Sequence, residues 1–438
     1  MERIEKPELL LPAGSLQRLK TAALYGADAV YAGVPAVSLR AKTSISMEEM
    51  EEGICFLHSL NKKIYLTLNL FTHNRDIENL EKFVDRLKYL RPDGVIIADS
   101  GVFDYVGDCL PDLPRHVSTQ ANVCSWLTVK AWQKRGASLC VLGREVPLSE
   151  IREIRKKCPD IRLEMFIHGA MCMSYSGRCL ISNFLTGRSA NQGKCAHSCR
   201  WKYKMYLEEE NRPGEFFELF QDDHGSYLMN SRDLCAMPVL KEVLESGVNS
   251  LKIEGRNKSE HYVAVTAHAY RHAIDSYYSR PESFNPKDFM AELETLQNRG
   301  YTTGFLLGNA GPESQNYDAT ASTGAWRAAG QISGYDKQGR MILTIRHKIK
   351  KGMELEFLSP FAFTPFKITV GDFYDESNGQ PLEEISCGRP EQKILLSLKE
   401  VMKEMIDSSA SLNAAPIEKL QKMLPPLCVC RTKEETTL

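Results

Sequence analysis

Short apolar runs alternate with longer amphipathic segments along the first two-thirds of the chain. The longer segments carry apolar residues at spacings of three and four, as in Ile77–Leu90 and Leu127–Arg135, which is typical of helices. The apolar runs predicted to be strands are Leu9–Ala13, Ala29–Gly33, Lys63–Asn69, Gly94–Asp99, His116–Gln120, Leu139–Gly143, Arg162–His168 and Ser250–Gly255. Such alternation indicates parallel strands joined by crossovers, and eight units predict an α/β fold, a (β/α)8 TIM-like barrel. A doubly wound open sheet is the alternative, but no Gly-x-Gly-x-x-Gly follows the first strand.

Several predicted strands end on a polar or charged residue. In a barrel, the C-terminal ends of the strands form one face, and that face carries the active site. The residues predicted to converge there are Asn69, Asp99, Gln120, Arg144, Glu145, His168, Glu254 and Arg256. For any one of them, the alternative is that a polar residue merely marks the end of a strand.

The connection between the seventh and eighth strands, residues 169–249, is unusually long. Loops of this length are usually functional or disordered, and we predict a functional one because it contains five clustered cysteines. It also contains a basic run interleaved with aromatic residues, 200–206, of a kind that can stack bases and contact phosphates. Arg200, Trp201 and Lys202 are therefore candidate nucleic-acid contacts, although an amphipathic strand explains the same alternation.

A segment rich in Gly, Ala, Ser and Asn, from Gly308 to Gly330, marks a domain boundary. Turn signals separate the short β-type runs that follow it, which predicts a small C-terminal β-barrel domain. These runs are Gly330–Tyr335, Arg340–His347, Met353–Leu358, Phe366–Phe373 and Lys393–Leu398. The predicted organisation is a barrel over 1–320 with its insertion at 169–249, a β domain over 328–400, and a helical or disordered tail over 401–438.

A dense basic run in the β domain supplies three more candidate nucleic-acid contacts, Arg346, Lys348 and Lys350. They could meet a phosphate backbone. Lysines on a solvated strand edge are the alternative explanation.

Composition narrows the class of protein. The chain has 438 residues, 43% of them hydrophobic and 25% charged, which is ordinary for a soluble globular protein. The net charge is −1, so a nucleic acid would have to be bound by a local basic patch. No long apolar run predicts a membrane span, and the N-terminus lacks an apolar signal core, so we expect a cytoplasmic protein.

Thirteen cysteines require an explanation, because cytosolic thiols rarely form disulfides. The clustered ones, unlike the rest, lie in polar, glycine-containing segments, and they are Cys172, Cys179, Cys195, Cys199 and Cys235. Four thiolates can hold zinc or a cubane iron–sulfur cluster. Dispersed single ligands favour a cluster on the barrel rim, but spacing alone leaves zinc open. It also does not choose between Cys195 and Cys199.

The stretch Glu164–Ser182 matches the whole signature of the peptidase U32 (collagenase-like) family, and the sequence resembles that family over about residues 7–310. Further matching stretches are Leu10–Gly14, Asp28–Gly33, Ser118–Gln120, Asn191–Gly193, Cys199–Trp201 and Ser250–Arg256. Within the family, the chain is similar to the branch that hydroxylates carbon 5 of the wobble uridine of tRNA. That resemblance implies O2-independent chemistry with prephenate as co-substrate, tRNA as partner, an electron donor, and a 4Fe–4S cluster on Cys172, Cys179, Cys195 and Cys235.

Residue chemistry fits this resemblance. Carbon 5 of uracil is neither acidic nor electrophilic, so a redox cofactor must supply the oxidising chemistry. A dicarboxylate such as prephenate needs cations, for which Arg40, Arg144 and Arg256 are the candidates. The strand-end amides of Asn69 and Gln120 are further candidates for substrate binding.

Three acid–base side chains, Glu164, His168 and Glu254, are candidates for handling protons. A buried Glu–Arg pair for Glu164 and a ring-packing role for His168 are the structural alternatives.

Two other functions are weighed against hydroxylation. A peptidase needs an activated nucleophile or a hydrolytic metal, and the sequence has neither Gly-x-Ser-x-Gly nor His-Glu-x-x-His. A pair of Cys172 with His168 is conceivable but leaves the other cysteines unexplained. The second alternative is a non-catalytic protein that binds tRNA or carries a cluster.

Overall fold

The computed structural model describes most of the chain. The residues it describes are 5–34, 38, 45–171, 179, 181–188, 190, 194–201, 206–208, 213–214, 216–218, 231–308, 310, 314, 322–388, 391–398 and 416–434. Three candidate residues, Arg40, Cys172 and Lys202, lie outside this set, as does the side chain of Arg200.

The first unit contains a closed barrel. Its strands, with those of the insertion, are β1 (Glu8–Ala13), β2 (Ala29–Gly33), β3 (Lys63–Leu68), β4 (Gly94–Ile97), β5 (Arg115–Val117), β6 (Leu139–Val141), β7 (Arg162–Ala170), β8 (Tyr206–Glu208), β9 (Phe216–Glu218), β10 (Asp233–Cys235), β11 (Ser250–Ile253) and β12 (Tyr301–Thr302). Strands β1 to β7 pair in parallel in chain order, and β11 closes the circle by pairing with both β7 and β1. The predicted eight-stranded parallel barrel is confirmed.

Helices cover the outside of the barrel. The helices of this unit, including α7 of the insertion, are α1 (Leu16–Leu24), α2 (Met47–Ser59), α3 (Ile77–Leu90), α4 (Ser100–Cys109), α5 (Trp126–Lys134), α6 (Leu148–Lys157), α7 (Ile181–Thr186), α8 (Leu240–Leu244), α9 (Glu260–Ser279) and α10 (Lys287–Leu293). Asp99, one of the polar strand ends, caps α4 by accepting hydrogen bonds from the backbone N–H groups of Gly101 (2.8 Å) and Val102 (3.1 Å). In the part of the chain described, we find no helix with the length and apolar character needed to cross a membrane.

The insertion after β7 returns to the barrel at one point. Strand β10 pairs antiparallel with the end of β7, which places Cys235 opposite His168, and it also pairs with β12. The remaining insertion elements are α7, the β8–β9 hairpin and α8. The insertion is therefore anchored at the C-terminal ends of the strands, where a barrel carries its chemistry.

The C-terminal unit is a curled antiparallel sheet of eight strands rather than the five predicted. The elements of this unit are β13 (Trp326–Tyr335), β14 (Met341–Ile345), β15 (Ile349–Lys350), β16 (Glu354–Phe357), β17 (Phe366–Thr369), β18 (Phe373–Asp375), β19 (Pro381–Leu382), β20 (Glu384–Ile385), β21 (Lys393–Leu396), α11 (Pro416–Met423) and β22 (Val429–Lys433). The sheet order is β17-β16-β22-β13-β14-β21-β18-β19.

The expectation of a helical or disordered tail is wrong for the last strand. Strand β22 lies in the interior of the sheet, between β13 and β16. Its central Arg431 is buried between two carboxylates. The guanidinium donates to both oxygens of Glu292 on α10 (2.7 and 3.0 Å) and to Glu356 on β16 (2.9 Å). The same contacts fix the sheet to the barrel unit.

Candidate active site at the mouth of the barrel

A buried ion pair joins β7 and β11 inside the barrel. The ammonium of Lys252 donates to Glu164 Oε1 (2.8 Å), and the hydroxyl of Ser250 donates to Glu164 Oε2 (2.8 Å). Glu164 is thus in a buried ion pair, but its partner is Lys252 and not the arginine that the structural alternative named. Burial lowers the pKa of Lys252, the Glu164 carboxylate opposes that shift, and Arg256 and Arg144 add to it. The electrostatic influence of both arginines indicates that three cations share this end of the barrel.

Aromatic faces line the same space. The Lys252 ammonium lies 4.5 Å from the ring centroid of Tyr31 and 5.6 Å from that of Phe166. The guanidinium carbon of Arg144 lies 3.7 Å from the Phe166 centroid. Cations over ring faces are stabilised by the ring quadrupole, so Phe166 holds Lys252 and Arg144 near each other.

Arg256 is buried against the ends of β2 and β3. Its Nη1 donates to the hydroxyls of Ser38 (2.8 Å) and Thr67 (3.0 Å), which are themselves 2.7 Å apart. A Cβ added at Gly33 would come within 2.4 Å of Ser38 Oγ and 2.7 Å of Arg256 Nη1. Glycine at position 33 therefore lets the arginine approach the strand.

Two amides meet across the mouth. The amide nitrogen of Asn69 donates to Gln120 Oε1 (2.7 Å), and the hydroxyl of Ser118 donates to the same oxygen (3.2 Å). Both amides are buried, so their rotamers are fixed by packing and hydrogen bonding. The predicted convergence of Asn69 and Gln120 is observed.

His168 is enclosed by tyrosines. Its ring centroid lies 5.9, 5.6 and 5.4 Å from those of Tyr262, Tyr270 and Tyr301, and Nδ1 is 3.4 Å from the Tyr270 hydroxyl. Burial, with a smaller effect of Lys258, lowers the pKa of His168 to about 3, so the ring is neutral near pH 7. These contacts give His168 the ring-packing environment that was its structural alternative.

Glu254 differs from the buried members of the site. Glu254 is only half-buried, and its backbone carbonyl accepts a hydrogen bond from the Tyr262 hydroxyl (2.9 Å). Gly169 approaches that carbonyl closely, because a Cβ there would lie 2.7 Å from the oxygen. The backbone of Glu254 is thus fixed against the end of β7.

Of the four predicted cluster ligands, the structure describes Cys179, Cys195 and Cys235. Cys235 is buried, with Sγ 3.7 Å from the Tyr270 hydroxyl and 3.9 Å from Met290 Sδ, and burial raises the pKa of its thiol to about 11. Cys179 and Cys195 are half-buried and flank α7 in the sequence. Within the described ranges no three metal-ligating side chains come together. Cysteine thiolates are the usual ligands of iron–sulfur clusters. Cys235 is anchored beside the strand that leads to Cys172. The set of four ligands stays a prediction.

The candidate nucleic-acid contacts fall in two places. Trp201 follows the 3-10 turn Ser198–Arg200 of the insertion and is half exposed. On the C-terminal sheet, Arg346 pairs with Glu391 (3.2 Å) and Lys348 with Glu384 (2.8 Å). Lys350 and Lys348 line a cavity of about 600 Å³ there, which also contains carboxylates. Of the first group the structure describes the side chain of Trp201 only, so the contacts predicted for Arg200 and Lys202 stay predictions.

A closed parallel barrel with a cysteine-bearing insertion after its seventh strand, followed by a curled sheet, is thus the class that fold and site define. The sequence model of peptidase family U32 matches residues 14–316, and that of the family's C-terminal domain matches residues 325–406. The chain belongs to peptidase family U32.

Curated relatives cover most of the chain. The tRNA hydroxylation protein P of Escherichia coli is 38% identical over 394 residues, covering 81% of this chain and 86% of the relative. The tRNA hydroxylation protein P1 of Bacillus subtilis is 38% identical over 379 residues, covering 86% and 89%. The 23S rRNA 5-hydroxycytidine C2501 synthase of Escherichia coli is 35% identical over 276 residues, covering 61% of this chain and 39% of that protein. A solved U32 peptidase structure covers 58% of this chain and 96% of its own, with 16% identity and a TM-score of 0.37.

Proposed function

We propose that this protein hydroxylates carbon 5 of the wobble uridine of tRNA, without O2, at the mouth of its barrel, with a prephenate-like co-substrate as the source of the hydroxyl. The observation that carries the proposal is the 38% identity, over more than four-fifths of the chain, to proteins named for tRNA hydroxylation. A further relative is named for 5-hydroxylation of a pyrimidine in ribosomal RNA. The names of these relatives thus specify RNA in each case, and the name of the ribosomal RNA enzyme also specifies hydroxylation at carbon 5.

The chemistry requires a cofactor. We assign a 4Fe–4S cluster to Cys172, Cys179, Cys195 and Cys235, and the cluster would supply redox chemistry that side chains lack. The protein's own contribution is to hold the thiols at the barrel rim. Cys235 supports this assignment because pairing between β10 and β7 fixes it beside the segment that leads to Cys172.

The cations at the mouth suit an anionic co-substrate. Lys252, Arg144 and Arg256 share one end of the barrel, and a prephenate-like dicarboxylate needs such partners. Arg40 is a further candidate outside the described residues. In this assignment Arg144 and Arg256 bind carboxylates, while Lys252 and Glu164 hold the floor of the pocket.

The amide pair suits the base. Uracil presents both donors and acceptors on its edge, and amide side chains can complement them. We assign Asn69 and Gln120 to orienting the uracil ring. We assign proton transfer to Glu254, because this residue is only half-buried at the end of β11, and we assign a packing role to the neutral, buried His168.

Complementation tests the proposal. A bacterial strain lacking tRNA uridine hydroxylation is given the wild-type chain, the Cys172→Ser variant or the surface control Tyr89→Ala, and tRNA nucleosides are analysed by mass spectrometry. We expect 5-hydroxyuridine-derived nucleosides with wild type and control and none with Cys172→Ser. Absence of these nucleosides with folded, iron-loaded wild-type protein, or peptide hydrolysis by that protein, would overturn the proposal.

A further inference from the structure

An exposed aromatic surface lies on the cysteine-bearing insertion. Phe184 on α7 is 87% exposed, and Trp201, next to the 3-10 turn that packs against α7, is 47% exposed. Leu185 beside Phe184 is also exposed. Neighbouring large apolar side chains that are exposed to solvent often mark interaction sites.

Hydrogen bonds hold the backbone under these rings. The buried hydroxyl of Ser182 donates to the carbonyl of Arg188 (2.7 Å) and accepts from the backbone N–H of Ala196 (2.9 Å). The N–H of Trp201 donates to the carbonyl of Ser198 (3.1 Å), whose side chain is buried. Phe184 and Trp201 thus stand on two segments that Ser182 joins, which restricts their freedom before any partner binds.

The charge of this stretch favours a polyanion. Between Glu164 and Glu208 the sequence contains no Asp or Glu, although the whole chain has a net charge of −1. The basic residues in the stretch are Arg178, Arg188, Lys194, Arg200, Lys202 and Lys204. Arg188 and Lys194 are exposed on the same segments as the aromatic rings. Exposed aromatic rings set among cations are the usual means of binding single-stranded nucleic acid, because rings stack on bases and cations contact phosphates.

We propose that Phe184 and Trp201 form a stacking platform for unpaired bases of the RNA loop that carries the target uridine. The inference rests on the proposed function for the identity of the RNA. The platform belongs to the insertion that leaves the C-terminal end of β7, which is the end of the barrel at which the reaction is placed. Bases flanking the uridine stack on the two rings, which helps to hold the uridine out of the loop and over the mouth.

RNA binding by purified full-length protein tests the platform. The probes are an unmodified tRNA anticodon stem-loop with a fluorescent end label, and the same stem-loop with 2-aminopurine beside the target uridine. The variants are Phe184→Ala, Trp201→Ala and the double variant. The matched control is Tyr89→Ala, which removes a ring that is 85% exposed on α3. Phe184→Trp is the conservative variant, which keeps an aromatic ring and should therefore retain binding. Unchanged iron content confirms that each variant is intact.

We expect each alanine substitution to raise the Kd of the labelled stem-loop about 5- to 150-fold, the range for loss of one stacked base. The 2-aminopurine emission, quenched by stacking in the wild-type complex, should recover in the variants, while Tyr89→Ala and Phe184→Trp bind as wild type does. Wild-type affinity and quenching in the double variant would overturn the proposal. So would unchanged RNA binding accompanied by loss of self-association or of a protein complex, because the surface would then be a protein interface.

The test separates the platform from the proposed reaction, since binding is measured without turnover. If the variants lose RNA binding but wild type yields no hydroxylated nucleoside, the platform stands and the reaction fails. If wild type hydroxylates tRNA and the double variant binds and hydroxylates equally well, the reaction stands and the platform fails.

Discussion

Replacing Glu164 by glutamine leaves Lys252 as a buried cation without its carboxylate. Glutamine keeps the size of the side chain and an acceptor for the Ser250 hydroxyl, so the change is mainly one of charge. Glu164→Gln therefore tests how far the ion pair determines the stability of the barrel.

The size of the effect follows from the burial of the pair. Removing one partner of a buried ion pair costs about 3–5 kcal/mol. The lysine can limit that cost by losing its proton, and neutralising an amine with an ordinary pKa of 10.5 at about pH 7 itself costs about 5 kcal/mol. We expect Glu164→Gln to lower the free energy of unfolding by about 3–5 kcal/mol.

The loss should depend on pH with a definite sign. Burial already lowers the pKa of Lys252 in the folded protein, and removing the carboxylate lowers it further. Between the folded pKa and the unfolded one, the unfolded chain binds more protons, so stability rises with pH. The destabilisation by Glu164→Gln should thus shrink as pH rises through the lowered pKa of Lys252, because the neutral amine no longer needs the carboxylate.

Urea unfolding of wild type, Glu164→Gln, Lys252→Met and the double variant measures the pair. Methionine suits the aromatic surroundings formed by Tyr31 and Phe166. We expect the double variant to lose less than the sum of the single losses, with a coupling of about 2–3 kcal/mol. Additive losses, or a loss of activity in Glu164→Gln without loss of stability, would refute the ion-pair reasoning and leave Glu164 as a reacting group.

Three further predictions concern the sheet, the histidine and the arginine pocket. Arg431→Met should cost about 3–5 kcal/mol in urea unfolding because it removes the guanidinium from the buried Glu292 carboxylate, whereas the surface control Arg346→Met should change stability by under about 0.5 kcal/mol. Burial already raises the pKa of Glu292 against the opposing effect of Arg431, so the Arg431→Met loss should become smaller as pH falls through that raised pKa and the carboxyl gains its proton. The His168 ring, with a pKa of about 3, should show no NMR titration between about pH 5 and 8, and a midpoint there would contradict its enclosure. Gly33→Ala should weaken prephenate binding in calorimetry by crowding Arg256, and unchanged affinity would remove that arginine from the pocket.

Much of the barrel could be predicted because its strands are apolar runs separated by amphipathic helices. Buried charges were harder to interpret. Lys252 lies within a strand whose other members are Ser250, Leu251 and Ile253, and its partner Glu164 is distant in sequence, so no local pattern reveals the pair. The last strand was missed for a related reason, because the carboxylates that pair with its Arg431, Glu292 and Glu356, are distant in sequence.

The polar strand ends divide in a similar way. Asn69 and Gln120 meet as expected, whereas Asp99 caps α4 and His168 packs among tyrosines. A strand-end position predicts only which face a residue occupies, while its partners depend on side-chain packing between distant segments.

Iron and acid-labile sulfide in protein purified without air test the central claim most directly. We predict about four of each per chain. Cys172, Cys179, Cys195 and Cys235 should each be required for them, while Cys199→Ala retains them. Protein that is folded and hydroxylates tRNA while free of iron would contradict the account.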